Sequence, residues 1–115
     1  MSTATVAQPT TKLVDGLEGA DIDLMWCSAV LFEESFWYDE DAPWGIYYDE
    51  LSYELEMTAR EAMNVAGFSQ ERQDAVWETY DAAAFELAEA EDGTFLGLVD
   101  ECESAYGHLA TPPKK

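Results

Sequence analysis

Basic residues are nearly absent from this chain. Five Lys and Arg and one His stand against 25 Asp and Glu, a formal net charge of -20 over 115 residues. Lys12, Lys114 and Lys115 lie near the ends, so only Arg60 and Arg72 oppose the acids of the body. DNA, RNA and anionic membranes are gripped by basic patches, and the lack of one argues against all three as direct partners. Long apolar runs are missing too, so no membrane span is expected. The opening Met1 to Lys12 has no apolar core behind a basic flank, which argues against a signal peptide and for a cytoplasmic location.

Catalytic and metal-binding patterns are equally scarce. There is no Glu-x-x-His pair, P-loop, Gly-x-Ser-x-Gly or zinc spacing, and the single His108 stands beside the C-terminal tail. Asp39, Glu40 and Asp41 lack the spaced ligands and turn glycine of a calcium loop. Carboxylate pairs are uninformative, because with 25 acids almost any separation occurs. The expectation is a non-enzyme with no cofactor and no metal. Cys27 and Cys102 form no Cys-x-x-Cys. They read as buried free thiols, or as a disulfide if their two helices pack side by side in register.

What the chain does have is apolar and aromatic matter: 48% hydrophobic residues, with four Trp, six Tyr and five Phe. That excludes a disordered acidic tail as the whole chain, and the length suits one domain with a real core. Alternating β-branched runs are absent, so no strand is predicted. Residues 1–12 read as a disordered lead, 13–108 as one acidic helical domain and 109–115 as a disordered tail. Apolar residues at three- and four-residue steps predict helices from Asp21 as N-cap to Tyr38, from Pro43 or Ile46 to Ala66, from Gln70 to Glu91 behind Ser69, and from Phe95 to Tyr106 behind Thr94. The fold class is an all-α bundle of four helices. Pro43 breaks the chain after the first helix, and Gly45 should loosen the start of the second. Gly67 should cap the second helix.

The stretch from Phe32 to Glu56 mixes nine carboxylates with eight aromatic rings and holds no basic residue. Acids here (Glu33, Glu34, Asp39, Glu40, Asp41, Asp49, Glu50, Glu54) beside Trp37, Trp44, Tyr47, Tyr48 and Tyr53 suggest a surface for a cationic, partly apolar partner. Glu71, Asp74, Glu78 and Asp81 step along one face of the third helix with no lysine interleaved, so they repel one another. Carboxylates about 5 to 6 Å apart on a rigid rod can stand in for phosphates. The surplus of Trp26, Leu31, Trp37, Trp44 and Tyr48 suggests homodimerisation.

In size, charge and distribution the chain resembles small acidic DNA-mimic inhibitors of phage or plasmids, the antirestriction and anti-CRISPR proteins. No aligned motif carries the likeness. It implies an inhibitor that occupies the nucleic-acid-binding site of a basic protein, such as a restriction or CRISPR nuclease, in the cytoplasm of an infected or plasmid-bearing bacterium. Tyr47, Tyr48, Asp49, Glu50, Tyr53 and Glu54 are also similar in kind to the acid and tyrosine patch of immunity proteins that neutralise one nuclease toxin. A phage structural or assembly role and haloadaptation stay open beside these.

Overall fold

The computed structural model describes residues 16, 17 and 19–113. The expected lead over 1–12 and the last two residues of the tail lie outside them. Four helices come in order, α1 (Gly19–Ser35), α2 (Pro43–Val65), α3 (Gln70–Ala90) and α4 (Thr94–Tyr106), then a 3-10 turn at Gly107–Leu109. No strand occurs among the described residues. The all-α bundle expected from periodicity is what the chain forms.

The bundle is built around α1, which packs against each of the other three helices. Its sequence is apolar nearly all the way round, and a helix with no polar face must be enclosed. Ile22, Met25, Trp26, Ala29, Val30 and Leu31 are accordingly buried on successive faces. Small residues let α2 come close: Ser28 Oγ donates to the Ser52 carbonyl and Ser52 Oγ donates to that of Ser28, both at 2.7 Å. Two buried hydroxyls are thereby satisfied by each other's backbone. Leu51, Leu55, Ala59 and Met63 of α2, Val76, Tyr80 and Ala84 of α3, and Phe95, Leu98 and Val99 of α4 complete the core.

Cys27 and Cys102 form a disulfide with Cα atoms 5.5 Å apart, joining the middle of α1 to α4. The bond corrects the first reading of the two cysteines as buried free thiols. Side-by-side packing of α1 and α4 supplies the register that a bond needs.

Helix ends are set by local chemistry. Helix α1 begins at Gly19, which puts Asp21 in the first turn and not at the N-cap. It stops at Ser35, three residues early, because Ser35 Oγ donates to the Phe32 carbonyl at 2.6 Å and competes with the ladder. The next amides reach only three residues back, Trp37 N to Glu34 O at 3.0 Å among them. Phe36 and Trp37 are thus carried off the core face. At the end of α2, Gly67 is left-handed (φ +92°), Phe68 N–H reaches Met63 O and Gly67 N–H reaches Asn64 O, a full Schellman closure with Phe68 buried beneath. Ser69 Oγ accepts from Arg72 N at 3.1 Å, the expected cap of α3. Thr94 is the first residue of α4, not its cap, and donates its N–H to Asp92 Oδ1 at 3.0 Å.

Gly45 does not loosen α2. It is buried in the first turn, where a Cβ would meet Tyr38 Cβ at 2.8 Å. Gly45→Ala should therefore push the α1–α2 turn apart and cost about 1–3 kcal/mol in urea unfolding. An unchanged midpoint would show that the turn has slack.

Candidate functional site

Acids in this protein have few cations to pair with, and tyrosine hydroxyls take their place. Tyr38 donates to Glu34 (3.1 Å), Tyr48 to Glu103 (2.9 Å) and Tyr106 to Asp23 (2.5 Å), each a charge-assisted bond between elements or turns. Burial first, then the adjoining carboxylate, raises the phenol pKa of Tyr48 and Tyr106, so both stay donors across the ordinary pH range. Tyr47 donates to the Gly107 carbonyl at 3.2 Å and is also shifted upward, by burial and then by Glu103. Burial corrects the expectation that Tyr47 and Tyr48 contact a partner: their rings are core and their hydroxyls are used inside the fold. Glu34, likewise expected at the surface, is 6% exposed. Its pKa is raised by burial, opposed by the Tyr38 bond and assisted by Asp100 and Glu103.

Both arginines have partners within the fold. Arg60 Nε lies 2.7 Å from Glu56 Oε2 and its Nη1 3.0 Å from Asp74 Oδ1, a bridge from α2 to α3. Arg72 stacks on the Phe68 ring, 3.8 Å from its centroid. Removing the bridge with Arg60→Ala leaves two carboxylates facing each other and should cost about 2 kcal/mol by chemical denaturation. Asp74→Asn should cost less, because Asp74 is half exposed.

The remaining acids expected as partner contacts face outward, Asp74 with Arg60 beside it. Asp39, Glu40 and Asp41 in the α1–α2 turn, Asp49, Glu50 and Glu54 on α2, and Glu71, Asp74 and Glu78 on α3 are exposed. Tyr53 shares with Asp49, Glu50 and Glu54 an open cleft of about 590 Å³. Asp81, expected as the next member of the α3 stripe, turns inward instead, with Oδ1 buried and without a hydrogen-bond partner. Its neighbour is Glu33. Burial, then the adjoining Asp81 carboxyl, by contact and by charge, and then the charge of Glu89 push the Glu33 carboxyl up to about 8, which favours its protonated form at neutral pH.

This carboxyl pair lies in a groove of about 440 Å³ between the end of α1 and α3, with Phe36, Trp37, Phe85 and Glu89 around it. Phe36, Trp37 and Phe85 are 66%, 60% and 50% exposed. Trp37 also borders a neighbouring groove of about 430 Å³ with Glu34, Phe95 and the exposed Leu96. Trp44 is half-buried against Tyr47 and Tyr48. Sequence reasoning missed Phe36, Phe85, Leu96 and Glu89. Phe85 could have been found, since it falls out of phase with Tyr80, Ala84 and Leu87.

Of the five residues that suggested homodimerisation, Trp26, Leu31 and Tyr48 are buried and only Trp37 is largely exposed, so that argument loses its basis. No group of three or more His, Cys, Asp or Glu suited to a metal occurs among the described residues. No helix among them is long and apolar enough to cross a membrane.

Fold and site together define a small acidic helical bundle with outward carboxylates and an aromatic groove. No family model, curated protein or solved structure matches the chain.

Proposed function

We propose that this protein is a non-enzymatic inhibitor whose acidic surface stands in for DNA in the nucleic-acid-binding site of a basic protein, a restriction or CRISPR nuclease being the kind of target that fits. The observation that carries the reading is the placement of charge against the interest of the fold. The last turns of α1 to α4 hold no basic residue, while Glu89 closes α3 and Glu103 stands in the last turn of α4. A negative charge at a helix C-terminus opposes the dipole by about 0.3–1 kcal/mol. Acids retained at that cost, with both arginines engaged by groups of the fold itself, favour a role in recognition. The long axis of 42 Å matches about 12 base pairs of duplex.

A neutraliser of one nuclease toxin, the rival reading, would use exposed tyrosines beside its acids; burial of Tyr47 and Tyr48 weakens it, leaving Tyr53 as the one exposed tyrosine of that patch. A target that handles nucleic acid places the working protein in the cytoplasm. Thiols are kept reduced there, and the Cys27–Cys102 disulfide is the observation that runs against that placement.

The test is capture from nuclease-treated bacterial lysate on the immobilised protein, with elution by a DNA duplex or by salt. Release of a nucleic-acid enzyme by duplex supports the mimic. One protein retained against excess duplex points to a dedicated neutraliser, and no retention overturns both.

A further inference from the structure

The groove at the end of α1 has features that phosphate mimicry does not need. Three aromatic rings, Phe36, Trp37 and Phe85, stand half exposed or more around Glu33, Asp81 and Glu89. Rings of this size are left in water where something covers them. A second copy of this chain is a poor cover, because each copy carries -20 and an isologous contact would set these carboxylates against their own kind. Nucleic acid is repelled for the same reason. The complementary group is a cation with a flat face, able to stack on rings and to bond carboxylates with its edge. Arginine has both properties, whereas lysine offers only a hydrated point charge.

We propose that this groove receives one arginine side chain of the basic partner, its guanidinium bonded to Asp81 and Glu33 and its face laid against the exposed rings. The proposal rests on the partner being basic, as the proposed function requires, and adds the contact that sets its register. Asp81 and Glu89, both on α3, are the charged groups that face Glu33. An arriving guanidinium supplies donors to Asp81 and a positive charge beside Glu33, so the Glu33 proton leaves to solvent as the arginine docks. Binding is therefore linked to proton release and strengthens as pH rises toward the Glu33 value.

The test uses the whole protein and two probes, N-acetyl-leucyl-arginine amide and its citrulline counterpart, followed by NMR at the Trp37 indole N–H and the Phe85 ring. The arginine probe should shift these signals first and bind about tenfold tighter than the citrulline probe. Its affinity should rise about tenfold from pH 6 to pH 8, and Glu33→Gln should abolish that rise. Asp81→Asn and Phe85→Ala should each weaken it several-fold. Equal binding of the two probes, shifts spread evenly along Glu54, Glu61 and Glu78, or indifference to both substitutions would overturn the proposal. Because the probes involve no captured protein, the groove can fail here while duplex-releasable capture stands, and the reverse.

Discussion

Reduction of the Cys27–Cys102 disulfide is expected to lower the unfolding free energy by about 4 kcal/mol. The bond closes a loop of sequence separation 75 that holds all of α2 and α3. On the chain-entropy account, a closure of that length removes about 4 kcal/mol of freedom from the unfolded ensemble. For a domain of this size the melting temperature should fall by about 10–15 °C. Thermal scans with and without reductant, repeated on Cys27→Ala/Cys102→Ala, measure it. The loss should appear first in α4, which packs mainly on α1 and is otherwise held by Phe95, Leu98, Val99 and the Tyr48–Glu103 and Tyr106–Asp23 bonds. Amide exchange in α4 should speed up more than in α2. A shift of a degree or two would mean that the native packing, and not the bond, fixes α4.

Stability should fall as pH rises from about 5 to 8.5, the reverse of ordinary acid denaturation. Glu33 titrates near 8 in the native protein against 4.5 when free, so between those values the folded chain holds a proton that the unfolded chain has released. Raising the pH through this window therefore favours unfolding, and the penalty is complete above about pH 8. Glu34, raised mainly by burial, acts in the same direction. Water reaches the Glu33 pair, so the effect of that residue is about 2 kcal/mol and not the full value its displacement implies. Glu33→Gln should be close to neutral at pH 5 and stabilising by about that amount at pH 8.5. Melting curves at the two pH values decide it: a flat profile, or a variant no more stable at high pH, would show that burial and Asp81 do not hold the proton on Glu33.

The helices were legible because their signals are local. Periodicity placed all four, Ser69 announced α3, and Gly67 announced the end of α2. What failed depended on pairings across the chain. The early stop of α1 turns on a single serine hydroxyl, and that stop is what exposes Phe36. Tyr47 and Tyr48 look like surface residues beside acids, yet Gly107 and Glu103, from the far end of the chain, satisfy their hydroxyls. Asp81 looks like one more step of an outer stripe, and only its opposition to Glu33 on another helix turns it inward. Net charge was plain from composition. Where each acid points was not, because that depends on which tyrosine or arginine reaches it.

Under the proposed function the outward acids serve a partner at the expense of the fold. Glu54, Glu61, Glu78 and Glu86 are all exposed. The most direct measurement compares Glu54→Gln/Glu61→Gln/Glu78→Gln/Glu86→Gln with the wild type in two assays: melting at low ionic strength, and the amount of nucleic-acid-binding protein that a DNA duplex releases from the immobilised chain. Relief of repulsion should stabilise the variant by about 1–2 kcal/mol, while duplex-releasable capture falls at least about tenfold. A variant that captures as well as the wild type, or that melts earlier, would contradict the account.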